Sequence, residues 1–456
     1  MKSLENKKIA ILGFAMEGES SAAFLLKKGA EVFVFDPRAK EKFDEEKIGT
    51  FEKKGTVFQF GEYPENFSSF DLILRTPGIR VFSEIIQKAL SQNAIVTSHT
   101  QLFLELCPCP VIGVSGTKGK GTTSTLIFEM LKQQGVDAYL GGNIGIPPLD
   151  FFDSLTPDSR VVLEMSSFQL QDIKKSPHIA VLLMLVPEHL DYHKDMEEYL
   201  EAKRNMLKFQ TEKDFAILNI DYPATRESDL FTDAKVFHVS REDEVGEGCF
   251  VRDDKVWLRL NGVEKKIIDV SEILLPGKHN WENVCAATLA ASLSGVNAEN
   301  IKKVLKTFKG LPHRLELVST IKGVRYYDDS FSTTPQTAIA AIQAFSEPKI
   351  LILGGSSKNS DFKELGEIIS ENESIKAIIG IGLEWSRIKA ELKTNNSKLK
   401  IIENCFNMEE IVSEASKIAE IGDIVLLSPA CASFGMFENY KDRGDKFKKE
   451  VLNLVL

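Results

Sequence analysis

Residues 111–123 read VIGVSGTKGKGTT. A short apolar run leads into Gly116-Thr117-Lys118-Gly119-Lys120, and a stretch rich in Thr and Ser follows. This pattern predicts a buried strand that turns through a phosphate-binding loop into a helix N-terminus. Glycines let backbone N–H groups turn inward around phosphate oxygens. The helix end adds partial positive charge, and Lys120 supplies a full one for the β- and γ-phosphates. Gly116, Thr117, Lys118, Gly119, Lys120, Gly121 and Thr122 are therefore the candidate ATP-binding residues. Gly121 stands directly after Lys120, where a Mg²⁺-binding hydroxyl normally sits. Thr122, one place later, is the candidate replacement unless the metal relies on other ligands.

On both sides of this stretch, short apolar runs rich in β-branched residues alternate with helix-length amphipathic segments, the pattern of parallel α/β sheets. Upstream, residues 8–13 and 31–36 read as strands with a helix over 17–28 between them, and a strand at 71–74 precedes the break Thr76-Pro77-Gly78. Two prolines around Cys107 and Cys109 mark a domain boundary. Downstream, 161–165, 179–186 and 215–220 read as strands. From 236 to 273 short alternating runs predict an antiparallel β insertion. LPGKHN leads into a helix over 281–294, and Gly310-Leu311-Pro312 marks a second boundary. Beyond it, 325–327, 349–353, 377–381, 400–402 and 424–427 are expected strands. The reading is three α/β domains, residues 1–107, 108–311 and 312–456.

Composition agrees, since 456 residues suit roughly three domains of ~150 each. Lys and Arg total 56 against 66 Asp and Glu, a formal charge of −10. That balance removes the footprint of a general nucleic-acid binder while leaving room for a small basic pocket. No apolar run approaches the ~20 residues that cross a bilayer, and the N-terminus lacks a signal-peptide core and cleavage site. Six cysteines scattered over this length do not form a disulfide framework. Cys107 and Cys109 flank one proline, too close for a usual metal-ligand pair. A cytoplasmic chain with small-molecule substrates, no nucleic-acid partner and no membrane insertion is expected.

A phosphate loop does not name a reaction, so the acids and bases downstream must. Glu164 closes the strand before Met165-Ser166-Ser167-Phe168-Gln169. A carboxylate at the C-terminal edge of a parallel strand beside a phosphate loop suits a Mg²⁺ ligand. His189, in VPEHLD, sits where another loop meets the same sheet edge, which leaves metal-ligand and structural roles both open. Lys203, in Glu201-Ala202-Lys203 on a helix starting near Met196, reads by itself as a solvated surface charge. In the first domain, Gly13 begins the loop GFAMEG, and Asp36 ends the second strand, where an acid meets a ribose or base. GFAMEG is not GxGxxG, and Glu17 would repel a phosphate while favouring the helix dipole.

GTKGK, LEMSSFQL, the His189 loop, EAK, LPGKHN, GLPHR, YYDDS and LLSPACASF, together with RTPGI, follow one another in the order and spacing of the Mur ligase family. The resemblance extends from about residue 8 to 447. It implies a Rossmann-like UDP-binding domain, a central P-loop-type ATPase domain and a C-terminal Rossmann-like domain that binds glutamate. It also implies an ATP-dependent, Mg²⁺-requiring ligase of peptidoglycan precursor synthesis, expected to be a monomer. Such an enzyme adds glutamate, in the first instance D-glutamate, to UDP-N-acetylmuramoyl-L-alanine through an acyl phosphate. By the same resemblance Lys120 clamps the transferring phosphate, Glu164 and His189 hold Mg²⁺, and Lys203 matches a carbamylated lysine that supports a second metal, while Thr122 stays the candidate metal hydroxyl from the loop's own pattern. Asn280, Arg314 and Asp329 match nucleotide contacts. Gly13, Asp36, Thr76, Gly78 and Asn143 match the UDP-substrate site, and Thr333, Lys358, Ser433 and Tyr440 the glutamate site.

Two departures stand out. Phe331-Ser332-Thr333-Thr334-Pro335 follows Asp329-Ser330 where the D-glutamate enzymes usually continue Lys-Ala-Thr-Asn, and Gly435 stands where an acid is common. The missing cation keeps an L-glutamate-adding variant open. A folylpolyglutamate-synthase-like ligase and a non-catalytic nucleotide-binding sensor are the remaining alternatives.

Overall fold

A computed structural model describes residues 3–186, 192–356, 360–392 and 399–455. The chain forms two compact units, residues 1–272 with 281–305, and residues 273–280 with 306–456.

The first unit carries two sheets. Strands β1 (Lys8–Leu12), β2 (Glu31–Asp36), β3 (Val57–Phe60), β4 (Leu72–Arg75) and β5 (Val96–Ser98) pair in parallel in the order β3-β2-β1-β4-β5. Strand order reverses beside β1, so the loops after β1 and β4 lie at the switch point where open α/β sheets place their ligands. Gly13 and Thr76 occupy those two loops.

The second sheet has nine strands: β6 (Val111–Ser115), β7 (Ala138–Gly142), β8 (Arg160–Glu164), β9 (Ile179–Leu182), β10 (Phe215–Asn219), β11 (Lys235–Ser240), β12 (Gly248–Arg252), β13 (Lys255–Leu260) and β14 (Val263–Asp269). Their order is β14-β13-β12-β11-β10-β9-β6-β8-β7. β6 lies between β9 and β8 and is buried along its whole length, as a central parallel strand must be. Its C-terminal end therefore meets the ends of both neighbours.

The expected antiparallel insertion begins later than the polarity pattern implied. β11 pairs in parallel with β10, and β12 in parallel with β11; only β12, β13 and β14 run antiparallel. Alternating polarity reports one solvated face, and a strand far from the centre of a parallel sheet has one too. The run at 179–186 is likewise split. β9 ends at Leu182, Leu183 N–H makes a last ladder bond to the Ser115 carbonyl (2.9 Å), and beyond it the Met184 carbonyl accepts from Thr117 N–H of the phosphate loop (2.7 Å).

Within this unit the two sheets are joined by a buried guanidinium. Arg75, at the end of β4, donates to Asp172 Oδ2 (2.9 Å) and Oδ1 (2.7 Å), and to the carbonyls of Ile79 and Phe168. Aromatic edges also pack within this unit, Phe24 on Phe152 and Phe103 on Phe151.

The second unit holds β15 (Glu316–Ile321), β16 (Val324–Asp328), β17 (Lys349–Gly354), β18 (Ile375–Ile381), β19 (Lys400–Ile402) and β20 (Ile424–Leu427), ordered β15-β16-β20-β17-β18-β19. All pairs are parallel except β15 with β16. That hairpin turns at Lys322-Gly323, both with positive φ (49° and 80°), the conformation a two-residue type I′ loop demands. No helix among the described residues is long and apolar enough to cross a membrane.

Candidate active site

The loop after β6 is built as its sequence predicts. Gly119 has φ +84°, in the left-handed region, and caps the helix Lys120–Gln133. A Cβ at Gly119 would fall 2.2 Å from Asn283 Oδ1, so side-chain-free backbone is needed here twice over. Thr117 is anchored on the segment after β9. Its N–H bonds the Met184 carbonyl (2.7 Å), and its hydroxyl meets the Val186 carbonyl (3.0 Å), the Val186 N–H (3.1 Å) and the Tyr199 hydroxyl (2.8 Å). Lys118 is exposed, Gly121 buried and Thr122 half-buried, one step along the helix.

Two lysines converge on one backbone oxygen of this loop. Lys120 Nζ donates to the carbonyls of Gly116 and Thr117, each at 3.0 Å. Lys203 Nζ donates to the same Gly116 carbonyl at 2.9 Å and to Ser115 Oγ at 3.3 Å. Lys203 is 2 % exposed, and its ammonium lies 4.9 Å from the Tyr199 ring centre. The structure thus overturns the surface-charge reading of its sequence context. The helix Met196–Lys208 buries Tyr199, Ala202, Lys203, Met206 and Leu207, a 3.6-residue stripe on which the lysine sits.

Glu164 ends β8, next to β6, and is almost fully buried. Its Oε1 accepts from Asn143 Nδ2 (2.7 Å), and its carbonyl accepts from Asn143 N–H (2.8 Å). The residues matched to metal and to sugar nucleotide are therefore in direct contact. His189 and Lys358 lie outside the described residues.

At the first sheet's switch point, Gly13 has φ +92°, and a Cβ there would meet Thr76 Oγ1 at 2.4 Å. Thr76 Oγ1 donates to the Leu12 carbonyl (2.9 Å), tying the two loops together, and Gly78 is exposed beyond it. Asp36 accepts from Phe14 N–H (2.8 Å) and is clasped by Arg38 through Nε (2.8 Å) and Nη2 (2.7 Å). Burial alone would raise this carboxyl, but the Arg38 and Phe14 bonds hold it below the usual carboxylate range. Sequence reasoning missed Arg38, which brings a half-exposed cation to the loop; its signal was its place two residues past the acid. Glu17 is the opposite case. Burial pushes its carboxyl up to about 7, against a hydrogen bond from Gln169 Nε2 (2.6 Å) and the pull of Arg75.

In the second unit, Asp329 is buried, accepting from Ser428 Oγ (2.7 Å) and Leu315 N–H (3.1 Å); burial raises it to about 7 despite these bonds. Arg314 is exposed and lies 3.9 Å from the centre of the Phe331 ring, which itself meets Tyr440 edge-on at 5.1 Å. The phenylalanine that replaces the expected lysine therefore positions an arginine instead. Asn280 Nδ2 donates to the Pro276 carbonyl (2.7 Å), Ser433 is buried, and Thr333 is half-buried.

A further residue organises this unit and was not read from sequence. Arg443, fully buried on the final helix Tyr440–Asn453, donates to Ser330 Oγ and O and to the carbonyls of Cys431 and Ala432. It fastens the DDS loop to the SPACAS turn, and burial brings its guanidinium down to about 10.

Three family profiles match the chain in succession: the Mur ligase MurD-like N-terminal domain over residues 7–98, the Mur ligase middle domain over 114–291, and the Mur ligase glutamate ligase domain over 313–431. A UDP-N-acetylmuramoylalanine–D-glutamate ligase of Acetivibrio thermocellus is 39% identical over 100% of this chain and 98% of its own. A ligase of the same name from Clostridium tetani is 38% identical over 99% and 98%. Among solved structures, the MurF ligase of Thermotoga maritima in complex with ADP has the same fold, with TM-score 0.60 at 18% identity and both chains fully covered. With three domains matched in order and relatives aligned from end to end, the resemblance read from the motifs holds, and the chain belongs to the Mur ligase family.

Proposed function

We propose that this chain joins D-glutamate to UDP-N-acetylmuramoyl-L-alanine at the expense of ATP, a step of peptidoglycan precursor synthesis. The relatives that align with the whole chain carry that activity in their names, which supports D- over L-glutamate. The structural observation that carries the reading is the pair of ammoniums on the Gly116 carbonyl, at the end of the strand beside Glu164.

A carboxylate resists nucleophiles, and an ammonium has no free lone pair, so amide formation needs an activated acid. ATP would supply the phosphoryl group that makes the alanyl carboxylate an acyl phosphate, with Mg²⁺ neutralising the anions gathered there. The residues present fit both. Gly116 to Thr122 offer a loop with backbone room for phosphate oxygens, and Lys120 gives the full positive charge. Glu164, with His189 and the Thr122 hydroxyl, forms the proposed magnesium shell. Lys203 is the proposed carbamate: its neutral amine adds to carbon dioxide and loses a proton, leaving an anion able to support a second metal.

Gly13, Thr76, Gly78, Asn143 and Asp36 are the proposed sugar-nucleotide contacts, with Arg38 as an added cation for the diphosphate. Asn280, Arg314 and Asp329 are proposed for the nucleotide, and Thr333, Lys358, Ser433 and Tyr440 for glutamate. The proposed domain limits are 1–107, 108–311 and 312–456, in a monomeric, cytoplasmic enzyme. Phosphate release measured with ATP, UDP-N-acetylmuramoyl-L-alanine and either D- or L-glutamate tests this reading. Release that needs the sugar nucleotide and D-glutamate is expected. Preference for L-glutamate would identify the variant enzyme, indifference to the sugar nucleotide a folate-type ligase, and no release a nucleotide sensor.

A further inference from the structure

Cys107 and Cys109 belong to none of the proposed ligand sites, yet their sulfurs are in contact. The Sγ atoms are 3.6 Å apart, and the Cys107 thiol also reaches the Cys109 carbonyl at 3.4 Å. The contact is imposed by the backbone. Cys107 ends the helix His99–Leu106, its N–H bonded to the Phe103 carbonyl (2.8 Å), and turns extended with φ −56° and ψ 123°. Pro108 and Pro110 follow the two cysteines and exclude helical backbone at each. With both φ/ψ ranges narrowed, bringing the sulfurs together takes little further ordering.

We propose that Cys107 and Cys109 are a redox-modification site, a dithiol that closes reversibly to a disulfide by exchange with a low-molecular-weight disulfide. Exposure divides the labour: Cys107 is half-buried, Cys109 9 % exposed. The Cys107 thiol loses its proton to solvent, and its sulfur attacks one sulfur of the small disulfide. That S–S bond breaks, and the departing thiolate takes up a proton. Cys109, losing its own proton to solvent, then attacks Cys107 Sγ and displaces the second small thiol. Two protein thiols are oxidised, and one small disulfide is reduced to two thiols. The hydrogen bond from Cys109 holds the Cys107 thiol below its ordinary range against burial, with Lys175 adding a favourable field. The Cys109 thiol is pushed up by the same contact and by burial. An attacking and a resolving thiol are thereby distinguished. The sulfurs must approach by about 1.5 Å to reach the ~2.05 Å bond.

The test uses the full chain in glutathione buffers of rising oxidised fraction, followed by alkylation and tryptic mapping. Residues 89–118 form one tryptic peptide holding both cysteines and no other, and residues 401–417 form one holding only Cys405, itself half-buried. The first peptide is expected to become lighter by two hydrogens, to recover both alkylation sites after dithiothreitol, and to lose free thiol about tenfold faster than the Cys405 peptide. Cys109→Ser is expected to leave glutathione on Cys107, because the displacing sulfur is gone. A native peptide that stays doubly alkylated throughout, or that reacts no faster than Cys405, overturns the proposal. So does a Cys109→Ser chain without the adduct.

Discussion

Lys203 and Lys120 share the Gly116 carbonyl oxygen, which leaves two positive charges within hydrogen-bond reach of one acceptor. Carbamylation would replace the Lys203 charge with its opposite, beside the Lys120 ammonium. Lys203→Ala is therefore expected to lower kcat by about 10²-fold or more, the scale of removing one preorganised electrostatic group. Added acetate or formate should restore part of the rate by standing in for the carbamate. Full activity without added carboxylate would refute the role, and measuring rate against carboxylate concentration separates the cases. The burial of Lys203 was missed in the sequence, where the helix's own periodicity around Tyr199, Ala202 and Met206 carried the signal. By contrast, nothing local in the sequence shows that Arg75, although it opens the RTPGI motif, or Arg443 is buried. Their partners stand far away in the chain, Asp172 at 97 positions and Ser330 at 113, and only the fold brings them in.

At the scale of elements, the strand–loop–helix at 111–133 was legible because its rule operates within a few residues. Strand β15 was less so, because its partner β16 and the positive-φ Lys322-Gly323 turn give it an identity that an extended segment lacks alone. The carboxylate end of β8 depends on a similar backbone demand. Gly142 ends β7 with φ +101°, and a Cβ there would lie 2.2 Å from the Glu164 carbonyl oxygen. Backbone cannot move aside as a side-chain tip can. Gly142→Ala is expected to cost about 1–3 kcal/mol of stability and to displace Glu164 and its Asn143 bond. Lowered Tm in a thermal melt, with a raised magnesium requirement for phosphate release, is the expected result. An unchanged Tm would show that β7 and β8 yield more readily than their pairing implies.

For the molecule as a whole, two buried carboxyls make stability depend on pH, one in each compact unit. Glu17 in the first unit rises from 4.5 to about 7, and Asp329 in the second from 3.8 to about 7, burial being the leading cause in both. An acid that holds its proton longer when folded favours the folded state at low pH. That advantage is complete below the unfolded value and is lost as pH rises through the folded one. His99, fully buried and brought down to about 3, works in the other direction, its contribution falling away as pH drops below 6.5. The wild-type curve is thus a composite, and differences between variants isolate each group. Units with separate cores are expected to melt in separate transitions. Glu17→Gln should raise the first unit's Tm relative to wild type by an amount that grows from pH 4.5 to 7 and then levels. Asp329→Asn should do the same for the second unit from pH 3.8 to 7. Scanning calorimetry across that range checks both. If either substitution shifted both transitions equally, the units would share one cooperative core, and the local assignment of each proton would fail.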